Sequence, residues 1–360
     1  MTGTVAFVTK PIEAPWTDGT KNLVRDLAVG LSRPTLVYST RGETLSLGRP
    51  TLVPKGPARV PFAVRVIGEL SGSPPDILHF FFAPNARSCG IARAWIRALR
   101  ARGFRGATIQ TVASTPKEWK RSLFFADHVV VQSEWAKQQL AEVRSSGVSV
   151  IRPATPIPVV TEERLAIARE SVGASGARII TYPGDLEFSK GAWTAARAFV
   201  RLAKRIPEAR VVFACRRKTP RALVVEADIA AYLRAEGLED RAAFVGEVKD
   251  LPALLAISSV VVFPVEDLFG KVDHPLVLLE AEALGVPLVL SDYGPLLELA
   301  ADAHVDSRNL DAFVAATVQI IESGAAIEST RSKKQGVGIG TTPFVEAYEQ
   351  VYEQALRGRH

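Results

Sequence analysis

The sequence predicts an α/β protein with two doubly wound parallel sheets. Short β-branched runs alternate with longer helical patterns along most of the 360 residues, which is typical of βαβ units. The alternation stops at a proline-rich run over residues 153–158 and then restarts. The length corresponds to about two domains of ~150 residues. We therefore expect two similar domains, with a ligand cleft between the carboxyl ends of their strands.

Composition and charge narrow the class of protein. Hydrophobic residues make up 47% and charged residues 23% of the chain, which favours a folded core over disorder. The net charge of +6 is too small for a nucleic-acid clamp and leaves anionic ligands as candidates. The two cysteines, Cys89 and Cys215, form neither a disulfide framework nor a metal-binding CxxC pair. The amino-terminal residues have the pattern of a strand and not of a signal peptide, and the apolar runs are shorter than the ~18 residues that span a bilayer. We expect a cytoplasmic protein without a nucleic-acid partner.

Residues 1–155 are predicted to form the first domain. Its helices are expected at 19–31, 91–102 and 133–143. Its strands are expected at 4–9, 34–39, 76–82, 107–112, 128–132 and 148–152. The proline run at 153–158 cannot continue a strand or a helix, and we interpret it as the hinge.

Residues 156–340 are predicted to form the second domain. Its strands are expected at 178–182, 210–214, 242–245, 259–263 and 287–290. A helix begins near Lys190, where Trp193, Ala196, Val200 and Ala203 recur on one apolar stripe. The glycines of residues 331–340 have two interpretations, a linker or a nucleotide loop, and the lack of a preceding strand favours the linker. A last helix over 344–356 lies in the closing segment 341–360.

The absence of several motifs excludes common function classes. The sequence contains no GxxxxGK[ST], no HExxH and no GxSxG, and its five histidines are scattered. P-loop NTPases, zinc proteases and α/β-hydrolases therefore lose support.

The stretch from 261 to 299 carries the most information about chemistry. A buried strand ends at Pro264, a loop with a glycine follows, and a helix opens near Pro275, a residue suited to the first helical position. Helix N-termini attract anions such as a diphosphate. Glu280, five residues later, could accept two hydrogen bonds from a ribose diol, or it could be an acid on the helix surface.

Residues 280–291, EAEALGVPLVLS, resemble the donor-site signature of glycosyltransferase family 4, whose fold is GT-B. The family has a further acid eight residues before the glutamate, where this chain has Val272, and Asp273 is the best local substitute. Residues 180–191, ITYPGDLEFSKG, resemble the family's glycine loop and Lys-Gly helix start. Lys190 is retained there, and Asp185 stands in place of the family's arginine.

Further similarities extend along the chain in the family's order. They are residues 126–135, 244–248, Asp18-Gly19, the Asp76-to-His79 strand and the closing helix. The resemblance implies two Rossmann-like domains facing a cleft: an acceptor domain at 1–155, a nucleotide-sugar donor domain at 156–340, and a helix at 341–360 that crosses back to the first domain. His79 could equally be a packed residue.

The resemblance implies that the protein transfers a sugar from a nucleotide-sugar to an unidentified acceptor. Retention of the anomeric configuration is implied, with no metal and no cofactor other than the nucleotide-sugar co-substrate. The implied catalytic residues are Lys190, Asp273 and His274. The implied donor-binding residues are Gly19, Gly184, Asp185, Lys190, Gly246, Val248, Pro275, Leu276, Val277 and Glu280.

Departures from the family pattern leave alternatives open. Asp185 removes a cation from the phosphate site, and residues 216–218, Arg-Arg-Lys, either compensate for it or form a solvated basic loop. The family's usual histidine after the fourth strand is replaced by Ala113. Ser114, Thr115 or His274 takes over its role, or the acceptor is handled differently, or catalysis is lost. The alternative function is therefore a catalytically impaired GT-B protein that binds a nucleotide-sugar or a partner protein.

Residues 92–105 carry arginines on one helical face. Arg93, Arg97 and Arg100 align opposite Ala92, Ile96 and Leu99. Such a face is either a peripheral contact with an anionic membrane or a solvated basic surface over the core.

Overall fold

The computed structural model describes residues 3–10, 12, 19–39, 51–52, 62–173, 176–324 and 340–358. The chain divides into two compact units, each with a parallel sheet and flanking helices. The first unit comprises Met1–Ala154, Phe269–Pro275 and Ile339–His360, and the second comprises Thr155–Leu268 and Leu276–Gly338. The predicted class, α/β with two doubly wound sheets, is confirmed.

The first unit contains a seven-stranded sheet of order β3-β2-β1-β4-β5-β6-β7, and every neighbouring pair is parallel. Its strands are β1 (Val5–Thr9), β2 (Thr35–Ser39), β3 (Thr51–Leu52), β4 (Ile77–Phe82), β5 (Ala107–Val112), β6 (His128–Val131) and β7 (Val148–Val150). Its first helices are α1 (Gly19–Gly30), α2 (Phe62–Gly72), α3 (Ala86–Ala101) and α4 (Glu134–Ala141). The side chains of Asn85 and Ser133 cap α3 and α4, and so fix where these helices begin.

The second unit contains a six-stranded sheet of order β10-β9-β8-β11-β12-β13, again parallel throughout. Its strands are β8 (Arg178–Tyr182), β9 (Ala209–Phe213), β10 (Ala242–Phe244), β11 (Val260–Phe263), β12 (Leu288–Ser291) and β13 (Ala303–Val305). Its helices are α5 (Glu162–Ser171), α6 (Gly191–Leu202), α7 (Pro220–Ala235), α8 (Leu251–Ala256), α9 (Leu276–Ala283) and α10 (Leu310–Glu322). The apolar stripe predicted for α6 packs on the core of this unit, with Ala196, Val200 and Ala203 buried.

The closing helix, α11 (Thr341–Arg357), packs against α1 and the sheet of the first unit. His79 on β4 is fully buried beneath it, with Nδ1 2.8 Å from the Tyr352 hydroxyl and Nε2 2.8 Å from the Thr111 hydroxyl. The Thr111 hydroxyl also lies 3.1 Å from that of Tyr348. Burial lowers the pKa of His79 well below its ordinary value, so the ring is neutral. His79 is therefore a packed residue that fastens α11.

The predicted strands agree with the observed ones to within a residue or two. Several elements are not predicted by the sequence patterns: β3, β13, α2, α5, α7, α8 and α10. The predicted donor domain at 156–340 includes residues 269–275, which in the structure belong to the first unit. Residues 331–339 of the predicted linker, and Asp18, lie outside the described residues.

Two of the three arginines on the face of α3 contact neighbouring parts of the first unit. Arg93 donates to the Ser122 carbonyl, and Arg100 donates to both carboxylate oxygens of Asp127, at 2.9 and 3.0 Å. Arg97 is exposed. In the part of the chain that the structure covers, no helix has the length and apolar character needed to cross a membrane.

Candidate functional site

Four loops of the second unit follow the carboxyl ends of β8, β9, β10 and β11. Because these strands are parallel and adjacent, their following loops lie at one edge of the sheet, where open α/β sheets bind ligands. The loop after β8 contains three of the predicted donor-site residues, Gly184, Asp185 and Lys190.

Tyr182, the last residue of β8, supports this loop from below. Its buried hydroxyl donates to the carbonyl of Asp185 at 3.0 Å and accepts from the amide of the same residue at 3.3 Å. Burial raises the pKa of Tyr182 well above its ordinary value. A Cβ at Gly184 would lie 2.2 Å from the tyrosine ring, and one at Gly191 would lie 2.5 Å from its hydroxyl oxygen. The tyrosine ring therefore requires glycine at both positions.

Ser189 and Lys190 form a strained turn at the end of the loop. Their φ values of 62° and 54° are the only positive ones among the non-glycine residues described. Each left-handed residue of this kind costs about 1–2 kcal/mol, and such strain is concentrated at functional sites. Lys190 occupies the N-cap position of α6 without making a side-chain cap. An ammonium group cannot accept the capping hydrogen bond, and Lys190 pairs with Glu266 instead.

Lys190 is exposed at this edge and is paired with Glu266. Its Nζ lies 2.7 Å from Glu266 Oε2, and 73% of its side chain is accessible. The amide of Glu266 donates to the Ser189 carbonyl at 2.9 Å, which joins the loops after β8 and β11. Glu266 is not among the residues predicted from the sequence. Its position three residues after a buried strand could have indicated it, because such positions lie at the ligand-binding edge of a parallel sheet.

Asp185 is buried at the site where the family has an arginine. Its Oδ1 accepts from the amide of Glu187 at 3.1 Å, and its Oδ2 lies 3.3 Å from Lys218 Nζ. Lys218 follows β9, and the next residue, Thr219, donates to Glu187 Oε1 at 2.6 Å. Two side-chain interactions thus connect the loops after β8 and β9.

The loop after β10 contains Gly246 and Val248. Gly246 has a φ of +64°, a left-handed conformation that favours glycine. Val248 packs, partly buried, against the apolar cluster of Val172, Ile179, Val212 and Leu254. Gly246 therefore provides the left-handed turn of this loop, and Val248 packs against the core.

Glu280 lies on α9 and is half-buried. Its carboxyl group makes no hydrogen bond or ion pair among the residues that the structure describes, and burial raises its pKa to about 7. Leu276 and Val277, the predicted donor residues at the start of α9, are partly buried, and Val277 packs on the core. Partly buried carboxyl groups are normally hydrogen-bonded, so the environment of Glu280 suits a ligand that donates hydrogen bonds.

Asp273 and His274 are buried in the first unit. Asp273 accepts the hydroxyls of Thr115, at 2.8 Å to Oδ1, and of Ser133, at 2.7 Å to Oδ2. Two backbone hydrogen bonds extend the contact, from Thr115 to the Lys271 carbonyl and from Gly270 to the Thr115 carbonyl. Asp273 therefore holds residues 269–275 against the loops after β5 and β6. The sequence analysis predicts a sugar contact for Asp273 and does not identify these hydroxyl partners.

The remaining predicted residues also lie in the first unit. Pro275 is buried and directly precedes α9, and Gly19 is the first residue of α1. Ala113, where the family has histidine, is buried, as are Ser114 and Thr115. The described residues contain no group of three His, Cys, Asp or Glu side chains that could hold a metal ion.

Residues 177–323 match the model of the family described as Glycosyl transferases group 1. The matched segment lies within the second unit. No similar sequence was found among curated proteins.

Solved structures with the same architecture extend over the whole chain. HepE from Anabaena in complex with UDP-glucose is 14% identical, covers 98% of this chain and 100% of its own, and has a TM-score of 0.74. Sucrose-phosphate synthase from Thermosynechococcus elongatus is 17% identical, covers 99% of both chains, and has a TM-score of 0.74. The catalytic domain of starch synthase IV from Arabidopsis thaliana, bound to ADP and acarbose, is 12% identical, covers 98% of this chain and 99% of its own, and has a TM-score of 0.75. The fold is GT-B.

Proposed function

We propose that this protein is a glycosyltransferase whose second unit binds a nucleotide-sugar donor. The family match lies on that unit, and similar structures were solved with UDP-glucose or with ADP. The donor-site residues that the sequence predicts in the second unit lie on the loops after β8 and β10 and on α9.

The observation that carries the proposal is the Glu280 carboxyl group. It is half-buried and without a partner in the described structure, and its pKa is raised to about 7. A ribose offers two adjacent hydroxyl donors, which would satisfy the carboxylate and compensate for its lost hydration. A helix-surface acid, the alternative interpretation, would be solvated and would keep an ordinary pKa.

Lys190 is the proposed phosphate ligand and the catalytic cation. When the bond between the anomeric carbon and the diphosphate oxygen breaks, its electron pair goes to the diphosphate, and the ammonium group stabilises that charge. The strained turn at Ser189 and Lys190 fixes the backbone from which the lysine extends, which contributes to the preorganisation that such stabilisation requires. In the structure Glu266 forms an ion pair with the Lys190 ammonium group, and a bound phosphate would displace Glu266 from it.

We include in the proposal retention of configuration, turnover without a metal and a cytoplasmic location. The first two are what the resemblance implies, and the third is an expectation from the sequence. Asp273 and His274 stay candidates for the reacting centre, with Asp273 contributing through the position of residues 269–275. The contacts of Arg93 and Arg100 favour a solvated face on α3 over a membrane contact.

A ligand panel tests the proposal. The melting temperature of the protein is measured with UDP, GDP, ADP, TDP and their common sugar conjugates. A ligand at 100 times its Kd adds about 2.7 kcal/mol to the free energy of unfolding, which raises the melting temperature. The same panel is run on Glu280→Gln and on the matched control Glu282→Gln from the same helix. We expect one nucleotide to stabilise the wild type and the control but not Glu280→Gln. Loss of binding in both variants, or in neither, would contradict the role of Glu280.

An assay for release of the nucleoside diphosphate from the bound sugar conjugate then distinguishes an enzyme from a protein that only binds the donor. Slow donor hydrolysis without acceptor supports glycosyltransferase activity. Tight nucleotide binding with no turnover across a set of acceptors would instead support the catalytically impaired protein, in which Asp185 and Ala113 have removed the activity.

A further inference from the structure

Asp185 stands where the family that the chain resembles has an arginine, and Lys218 forms an ion pair with it. Asp185 has only 10% of its side chain exposed, and its Oδ2 lies 3.3 Å from Lys218 Nζ. Half of the Lys218 side chain is accessible, so its ammonium group lies between a buried carboxylate and solvent. The cation that pairs with this position therefore lies on the adjacent loop, after β9.

The structure distinguishes Lys218 from its basic neighbour Arg217. Arg217 donates two hydrogen bonds of 2.7 Å to Glu226 and a longer one to the Phe244 carbonyl. A guanidinium that donates from two nitrogens to both oxygens of one carboxylate forms a strong bidentate pair. Among the described residues Lys218 makes one polar contact, of 3.3 Å to Asp185, and an ammonium has three N–H donors. Lys218 therefore has N–H donors available for a ligand, whereas those of Arg217 are engaged by Glu226.

The position of Lys218 is also fixed. Asp185 is itself oriented by the Glu187 amide, and Glu187 accepts the hydroxyl of Thr219, the residue after Lys218. This ring of contacts holds the start of the loop after β9 against the loop that ends in Lys190. A lysine held in this way loses less conformational freedom on binding a ligand than a free surface lysine does.

From these observations we infer that Lys218 is the second cation of the donor diphosphate site and that Asp185 is its positioning residue. The inference rests on the proposed function, because it assigns a phosphate ligand within that donor site. It also explains the acid at position 185: Asp185 orients the lysine and partly neutralises it. Asp185 therefore weakens diphosphate binding electrostatically while it sets the geometry.

The test uses variants whose effects have opposite signs. Lys218→Met removes the cation and keeps the aliphatic stem, and we expect it to weaken binding of the nucleoside diphosphate by about 10- to 100-fold, the range for a charge-assisted hydrogen bond. Asp185→Asn removes the competing charge and should tighten diphosphate binding at low salt. The double variant should bind as weakly as Lys218→Met alone. Lys204→Met, at the opposite end of α6, is the matched control and should bind like the wild type.

Isothermal titration of each variant is carried out with the nucleoside diphosphate that the wild type binds, with the matching nucleoside, and with inorganic pyrophosphate. A loss in Lys218→Met that is confined to the diphosphate and pyrophosphate supports the inference. Equal losses for nucleoside and diphosphate would show a structural role, and wild-type affinity for the diphosphate would show no role, so either result overturns it. If the wild type binds neither any nucleotide nor pyrophosphate, the proposed function fails together with the inference. Nucleotide binding that is unaffected by Lys218→Met overturns the inference alone.

Discussion

Replacing Glu280 with glutamine should make the second unit more stable at high pH while abolishing nucleotide binding. The folded-state pKa of Glu280 is about 7 and its ordinary value is 4.5, so folding disfavours the charged form. A raised carboxyl pKa means that the folded protein holds a proton that the unfolded chain has lost, and stability therefore falls as the pH rises from 4.5 to 7. Glutamine is uncharged at every pH and removes this dependence.

The magnitude follows from the two pKa values. At 1.36 kcal/mol for each unit of pKa, the change from 4.5 to about 7 corresponds to at most about 3 kcal/mol above pH 7, and to less than about 1 kcal/mol at pH 5. For a unit of this size, each kcal/mol moves the melting temperature by about 2–4 °C. Glu280→Gln should therefore melt up to about 6–12 °C above the wild type at pH 8 and close to it at pH 5.

Calorimetry of wild type, Glu280→Gln and Glu282→Gln between pH 5 and 8.5 measures this difference without any ligand. Parallel melting curves for wild type and Glu280→Gln across the whole range would refute the assigned burial of the carboxyl group. A pH dependence shared by Glu282→Gln would assign the effect to the helix as a whole. Nucleotide affinity of the wild type should rise with pH through 7, because the ribose hydroxyls donate to the carboxylate and not to the acid.

Three further predictions concern the neighbouring structure. Lys190→Met should lower turnover by about 100-fold or more with an unchanged melting temperature, because the side chain is largely exposed, and equal turnover in a nucleotide-release assay would remove Lys190 from the mechanism. Ser189→Gly should stabilise the second unit by about 1 kcal/mol by relieving a positive φ, and a lower melting temperature would contradict the assigned strain. Asp273→Ala should cost the first unit about 2–4 kcal/mol, since two buried hydroxyls lose their acceptor, whereas Asp273→Asn should cost less. Hydrogen exchange of residues 269–275 should rise in the alanine variant, and unchanged protection there would show that backbone contacts alone hold the segment.

The parallel strands were predictable because each is a short apolar run between helical patterns. The sheet buries both faces of such strands, so β5 and β8 contain hardly any solvated positions that could obscure the signal. Two of the elements that were not predicted give a weaker pattern. Helix α5 has Ala168 as its only buried residue, and β13 is three half-buried residues long. Packing that involves one side chain leaves no periodicity to detect.

The candidate site was predictable in part for a similar reason. Lys190 and Glu280 lie in short segments, residues 180–191 and 280–291, that resemble motifs of a known family. The pairs Lys190–Glu266 and Asp185–Lys218 join residues 76 and 33 positions apart, and spacing contains no information about such pairs. The same holds for Asp273, whose partners are 158 and 140 residues away. The resemblance suggested a ligand contact for Asp273, and only the packing of residues 269–275 shows that two hydroxyls already donate to its oxygens.

The anchoring of α11 by His79 has a consequence for how the chain folds during synthesis. Tyr352 follows His79 by 273 residues, and Tyr348 follows Thr111 by 237. Until these tyrosines leave the ribosome, the first unit contains a histidine and a threonine without their hydroxyl partners and an apolar surface without its cover. The second unit, by contrast, is fully synthesised before α11 begins. Multidomain chains generally fold from the amino terminus as they emerge. In this chain the first unit can complete its core only after the second unit has been synthesised.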